Sequence, residues 1–469
     1  MIVDQIMKLK RSLKLLDIIL LNVTAIIGIR HIALAGTSGN TSIILWFAAL
    51  LLFFLPQGCA VIELTSRLPG EGGIYLWTKK AFGEFHGFLS GWCYWTSNLL
   101  YFPTLLIFTA GISVFVLGDG YQALGENKTY VMIFSLLVLW IAMIFNIIGL
   151  KLGRWINNIG GIGLWISGTL LIISGIIAIT KYGIANPMPI NSFFSNIITF
   201  DKLSFWAAIC FGFAGLELAA VLAGEIVNPR KVIPKATIYS GTIIATVYIL
   251  GTFSLLIILP TSEINIITGF MQGIAAIGTK LGLGWISQIL ALFITLGGIG
   301  SLMAWFTGAA RMPFVAGVDR YLPKAFGKVH PKYGSPHIAI IVQGVFATAF
   351  VLMSFIGTSV REAYLILLFA SLLVYFLPYV YMFAAYIVLR RKNFSEKGKI
   401  LLIPKNNFFA TFVGLSGLST TLFAMIMSII PSSSVTNILV YEIKIIGGFL
   451  LFIGIGVGIY WWGRKNNNI

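Results

Sequence analysis

The chain has 469 residues, 58% of them hydrophobic and only 10% charged, with 32 Lys and Arg against 15 Asp and Glu and a mean hydropathy of +0.94. A soluble protein of this length needs more charge to cover its surface. The composition therefore excludes a soluble globular enzyme and points to an all-α polytopic membrane protein.

Apolar runs recur that are long enough to cross ~30 Å of hydrocarbon at 1.5 Å per residue. In chain order, twelve spans are predicted: 17–38, 43–66, 86–117, 130–150, 156–180, 203–224, 236–260, 284–310, 336–356, 362–389, 408–430 and 438–462. An N-terminal segment 1–16, a loop 390–407 and a C-terminal segment 463–469 flank or connect them. The first run is too long and too polar at its flanks for a cleaved signal peptide. Loops are short, so a catalytic domain outside the bilayer is not expected, and there is no Gly-rich Lys-Ser/Thr loop to drive an ATP pump.

An even number of spans puts both termini on one side. That side receives 25 Lys and Arg, among them Lys8, Lys10, Arg67, Arg311, Arg320, Arg390, Lys397, Lys399 and Lys465. The other side receives six, Lys128, Lys181, Lys202, Lys280, Arg361 and Lys444, which leaves Arg30 inside a span. This is the positive-inside pattern, so both termini are expected in the cytoplasm and the protein in the cell membrane. The net charge of +17 is topological and is no nucleic-acid footprint.

Span 1 is interrupted at "IIGIRH", where Gly28 is followed by Arg30 and His31. An ionisable side chain at the midplane costs ~3 kcal/mol or more, which makes Arg30 a functional candidate. Its guanidinium suits a carboxylate in bidentate fashion; alternatively, a short outer half of span 1 leaves Arg30 and His31 wet in a vestibule. Span 2 ends with Glu63 and Arg67 at i, i+4, a gate latch or a helix-end pair worth a few tenths of a kcal/mol, and read as the latter. Span 3 carries Tyr94, a gate candidate, and span 5 has no interior lysine. Cys59, Cys93 and Cys210 lie within spans as free apolar thiols, with neither CxxC nor metal spacing.

Span 6 is interrupted at "FGFAGLE", Phe211 to Glu217. Unwinding a helix frees backbone groups that hydrocarbon cannot satisfy, so a break survives only beside a polar cavity. Glycine-interrupted segments in matching places are the best sequence pointer to a transporter's substrate site. Five spans separate the two, as expected for repeats over 17–200 and 201–389, whose odd span number inverts them. Either segment alone is also explained by helix packing.

At these residues the chain resembles the amino acid–polyamine–organocation superfamily of permeases. The resemblance is carried by "LKLLDIILLNVTAIIG" (13–28), "CAVIELTSRLPGEGGIYLWTKKAFGEFHGFLSGWCYW" (59–95), "GFAGLELAAVLAGEIVNPRKVIPKA" (212–236) and "GSLMAWFTGAARMPFVAGVDRYLPKAFGKVHPKYGSP" (300–336). Within the superfamily it is most similar to bacterial glutamate/GABA antiporters. It implies a LeuT-type fold, two inverted five-helix repeats plus two peripheral helices, with alternating access around a midplane amino-acid site. In such proteins a Gly-Ser-Gly turn binds the substrate α-carboxylate through backbone amides. The matching positions here are Gly28, Ile29 and Arg30, so only the first glycine is kept.

The resemblance makes Ile26, Gly28, Ile29, Arg30, Phe211, Gly212, Ala214, Gly215 and Trp305 substrate-binding candidates, with Phe211 capping the substrate. Glu217 and Tyr94 become coupling or gating candidates, Glu217 more in a structural or coupling role than as a substrate ligand. The expected function is secondary transport of amino acids or related amines, by exchange or proton symport; a transport-inactive sensor or channel on the same fold is the alternative. No catalytic residue, metal or cofactor is expected. The expected partners are the amino acid or amine, a proton or counter-substrate and membrane lipid, without nucleic acid and with a homodimer left open.

Overall fold

The apolar runs fold as helices because their backbone groups have no other partner in hydrocarbon. The computed structural model describes residues 11–466, apart from 119, 149, 196, 320, 357–358, 393–399 and 432–437. Lys8, Lys10, Arg320, Lys397 and Lys399 of the charge count, and parts of the flanking segments 1–16, 390–407 and 463–469, lie outside the described residues.

In chain order the helices are α1 (Leu15–Ile26), α2 (Arg30–Gly36), α3 (Thr41–Arg67), α4 (Ile74–Phe82), α5 (Glu84–Ser113), α6 (Lys128–Ile148), α7 (Leu150–Lys181) and α8 (Phe200–Phe213). There follow α9 (Leu218–Val221), α10 (Pro229–Ile258), α11 (Gly269–Lys280), α12 (Trp285–Val318), α13 (His337–Ser354), α14 (Val360–Arg391), α15 (Asn407–Ile429) and α16 (Ile443–Asn466). No β-strand occurs among the described residues; Leu13 and Ile226 form one isolated bridge.

Among the described residues, ten helices are long and apolar enough to cross a membrane, and the pair α1–α2, bent by 42°, makes an eleventh. The predicted span 203–224 is divided between α8 and α9, each too short to cross alone. The chain is thus an all-α polytopic membrane protein of the LeuT type, with two broken helices, α1–α2 and α8–α9. The breaks are held in the middle: α1 packs on α7, α10 and α12, while α12 packs along α5 and α7. Close approach of α7 and α12 depends on small residues, since a Cβ on Gly160 would stand 3.0 Å from the Gly297 Cα.

The bundle has two chemically different ends. At one, Asn40 donates to the Pro187 carbonyl (2.8 Å), Asn186 to that of Leu259 (2.7 Å) and Lys202 to the Thr41 hydroxyl (2.8 Å). At the other, the basic end, the links are buried ion pairs. Glu63 accepts from Arg67 (2.8 Å) and from Arg390 of α14 (2.6 Å), and Arg390 also donates to the Pro404 and Lys405 carbonyls. Arg311 of α12 lies 3.2 Å from Glu71 and also pairs with Glu225. The Glu225 carbonyl in turn accepts the Ser12 and Leu13 amides, tying the chain start to the loop after α9.

Glu63 and Arg67 are therefore no exposed helix-end pair. Glu63 is 0% exposed and is the common counter-ion of two guanidinium groups. Glu63→Ala removes the carboxylate that both guanidinium groups share in the interior, at a cost of about 3–5 kcal/mol. The expected result is a clear drop in thermal midpoint of the detergent-solubilised protein; an unchanged midpoint refutes the shared-counter-ion account.

Candidate functional site

The first break begins where α1 ends at Ile26 and closes where α2 restarts at Arg30. The Arg30 side chain folds back over Gly28: a Cβ there would lie 2.7 Å from the Arg30 Nη1, so the guanidinium would have to move. In the second break α8 stops at Phe213, Ala214 is extended, and Gly215 has φ +128, a region L-residues avoid. A Cβ there would also meet Ile26 at 2.8 Å and Trp305 at 3.0 Å.

The freed backbone groups find side-chain partners on other helices. The Tyr248 hydroxyl of α10 accepts the Gly28 amide (3.0 Å) and lies within hydrogen-bond reach of the carbonyls of Ile26 (2.5 Å) and Gly212 (3.1 Å). It carries one proton, so it donates to these two in turn. The Trp305 indole donates to the Ala25 carbonyl (2.8 Å), and the Tyr379 hydroxyl of α14 accepts the Gly215 amide (2.7 Å). The Ile29 and Arg30 amides have no hydrogen-bond partner among the described residues.

Between the breaks lies a cavity lined by Ala25, Ile26, Arg30 and His31, by Ser97, Asn98 and Tyr101 of α5, by Phe211, Gly212 and Ala214, by Trp305 of α12, and by Ser371 and Tyr375 of α14. Its free volume is about 20 Å³, on the order of one or two waters, so an organic ligand enters only as side chains move. Four rings close around it. Tyr101–Phe211, Phe211–Tyr375, Tyr375–Trp305 and Trp305–Tyr101 stand 5.6–5.9 Å apart in edge-to-face geometry, the favoured arrangement for aromatic pairs.

Arg30 and His31 are 3% and 2% exposed and are not wet. Arg30 donates to the Tyr101 hydroxyl, and its guanidinium lies 5.2 Å from that ring's centre and 6.0 Å from Phe108's. Its Nε has no partner, nor has the Nδ1 of His31, which fits against Gly212 with its ring edge-on to Phe211 and Tyr248. No carboxylate pairs with Arg30 among the described residues; its hydrogen-bond partner there is the Tyr101 hydroxyl.

Glu217 is 0% exposed and does not line the cavity. One carboxyl oxygen meets Tyr94 (3.2 Å) and Tyr375, the other Tyr379 and the Gln57 amide (3.2 Å). Tyr379 already accepts from Gly215 and from Gln57 (2.8 Å), so its own proton is committed to Glu217. The acid is thus a hub joining the second break to α3, α5 and α14.

Of the predicted site residues, Ile26, Arg30, Phe211, Gly212, Ala214 and Trp305 line one cavity. Gly28, Ile29 and Gly215 form the breaks beside it, and Tyr94 and Glu217 reach it through Tyr375. The Gly28 amide, expected to be free for a ligand, is occupied by Tyr248. Sequence reasoning passed over Tyr248, Gln57, Tyr101, Asn98, Ser371, Tyr375 and Tyr379. A signal existed for most: Tyr94, Ser97, Asn98 and Tyr101 in span 3, and Ser371, Tyr375 and Tyr379 in span 10, are polar stripes at helical spacing.

Two helices broken opposite one another at a buried, partly polar cavity are the construction of a secondary transporter. The chain belongs to the amino acid permease family, whose profile matches residues 13–451, and it is a transporter, not an enzyme. It is 30% identical over 450 residues to an uncharacterised transporter of Legionella pneumophila, covering 95% of each chain. It is 24% identical to a probable agmatine/putrescine antiporter of Lactococcus lactis, over 89% of this chain and 88% of that one. A glutamate/gamma-aminobutyrate antiporter of the same species is 25% identical, over 82% and 77%.

Two outcomes follow from the breaks. Gly215→Leu is expected to abolish transport while membrane insertion persists; transport at the wild-type rate would remove the second break from the site. Tyr379→Phe removes the acceptor of the Gly215 and Gln57 donors, at about 1–3 kcal/mol for an unpaired buried group. The transport rate of purified protein in liposomes is expected to fall by an order of magnitude or more, with helix content by circular dichroism unchanged.

Proposed function

We propose that the protein exchanges carboxylate-bearing amino acids across the cell membrane by alternating access, with Arg30 holding the carboxylate. One observation carries this reading: a buried guanidinium in an aromatic-walled cavity that no carboxylate among the described residues neutralises. Isolated buried charge is expensive, and an incoming carboxylate is the partner that a planar donor fork fits best. The four rings seat the ammonium group through their faces. The antiporters among the relatives support exchange over uniport.

In this reading the basic end faces the cytoplasm, as the positive-inside rule requires, and both termini lie there. Its ion pairs form the inner closure. Phe211 stands over the ligand as the outer cap, and Glu217 transmits movement of the second break to α5 and α14 through Tyr94, Tyr375 and Tyr379.

The test compares one transported amino acid with its decarboxylated amine in proteoliposome counterflow. A charged hydrogen bond is worth about 1.5–3 kcal/mol, so Arg30→Ala is expected to weaken the amino acid tenfold to a hundredfold and the amine little. Arg30→Lys is expected to restore part of the loss, because it keeps the charge without the fork. Equal losses for both ligands would remove Arg30 from the site. Equilibration without counterflow would indicate a channel.

A further inference from the structure

We infer that the cargo this cavity is built for carries one net negative charge, that is, an amino acid with a second carboxylate. The inference rests on the function proposed above and adds a charge state to it. Three observations lead to it.

The first is charge balance. Among the residues lining the cavity, Arg30 is the cationic one and none is Asp or Glu. A zwitterionic amino acid gives Arg30 a carboxylate but brings its own ammonium, so the occluded complex keeps one uncompensated positive charge in a low-dielectric interior. A ligand of net charge −1 leaves none, and a diamine would leave three. Since the penalty for buried unpaired charge is steep, the site discriminates in that order.

The second is the state of Glu217, the acid nearest in role. It is not available to balance an ammonium, because both oxygens are taken by hydroxyl and amide donors from Tyr94, Tyr375, Tyr379 and Gln57, and it does not reach the cavity surface.

The third is an excess of unused donors. Among the described residues, Arg30 Nε and the Tyr364 hydroxyl are buried donors without a partner; Tyr364, of α14, is 0% exposed and stands two turns before Ser371 of the cavity lining, on the same helix face. The Ile29 and Arg30 amides are unpaired as well. An α-carboxylate consumes two or three donors; a second carboxylate accounts for the rest. The α-carboxylate takes Arg30 and the second carboxylate lies toward Tyr364, while the ammonium stays among the rings.

L-glutamate and L-glutamine are nearly isosteric and differ by one charge, so they isolate the point. Inhibition constants are measured on the wild-type protein, Arg30→Gln and Tyr364→Phe, by competition against counterflow of whichever labelled amino acid is carried. The expected result is glutamate binding at least tenfold tighter than glutamine in the wild type, with putrescine not competing. Arg30→Gln is expected to bring that ratio below about threefold. Tyr364→Phe removes a hydroxyl that has no partner in this structure, so a purely structural role predicts no change; a glutamate-selective loss of threefold or more is expected instead.

Glutamine equal to or tighter than glutamate in a protein that still shows counterflow, and that still needs Arg30, overturns the charge assignment while leaving the proposed function intact. Absence of counterflow with any amino acid, or indifference to Arg30, overturns the proposed function itself. Butyrate, which has net charge −1 and no ammonium, separates the two sources of such a charge: competition as strong as that of glutamate would make the cargo a simple carboxylate and overturn the assignment of an amino acid.

Discussion

Two tyrosine hydroxyls make the breaks in α1 and α8 physically admissible. Backbone groups freed in hydrocarbon have no water to turn to, and each buried one left unmade costs about 1–3 kcal/mol. Tyr248 serves both breaks at once, meeting Ile26 and Gly28 on one and Gly212 on the other. Tyr379 holds the Gly215 amide and passes its proton to Glu217. The cavity is the space left between two chain segments fixed in this way. Its walls follow from the same anchors: Trp305, held to the Ala25 carbonyl, contributes one ring, and Tyr375, held to Glu217, another.

The same accounting shows what the site leaves undone. Glu217, the acid, is surrounded by donors and sealed behind Tyr375, whereas Arg30, the base, faces rings and the Tyr101 hydroxyl and keeps a free Nε. A protein that satisfies its break carbonyls so fully has the means to satisfy a guanidinium too. In the proposed function, the carboxylate partner that Arg30 lacks among the described residues is supplied by the cargo. Gly28 and Gly212 extend the point: each lacks a side chain where Arg30 and His31 need room, so the breaks are shaped around these two residues rather than merely interrupted near them.

The spans, the two breaks and the charge asymmetry were legible in the sequence because each is a local pattern: apolar run length, glycine next to polar residues, and Lys and Arg between runs. The partners of the breaks were not, because they are distant in the chain. Tyr248 lies 220 residues from Gly28, and Tyr379 lies 164 from Gly215; the polar stripe of span 10 marks Tyr379 without saying which break it serves, and nothing local separates Tyr248 from other tyrosines in apolar helices. Glu63 and Arg67 read as a two-member helix-end pair for the same reason, since the third member, Arg390, is 327 residues from Glu63. The division of the sixth span into α8 and α9 was signalled by Gly212 and Gly215, while hydropathy alone runs through it.

The contrast between the ends suits a cavity that must open to one side at a time. Buried ion pairs sit near balance, because the water each charge gives up nearly cancels what the pair gains. Separating Glu63 from Arg390, or Arg311 from Glu71 and Glu225, into water therefore costs far less than breaking either pair inside the protein. Hydration takes over as the pair parts, and a closure of this kind holds tightly when shut without making the open state inaccessible. The opposite end is joined by neutral and lysine hydrogen bonds from Asn40, Asn186 and Lys202, which water replaces just as readily. The tyrosine anchors differ from both. They belong to neither end: they hold the backbone of both breaks beside the cavity, joining it to α10 and α14.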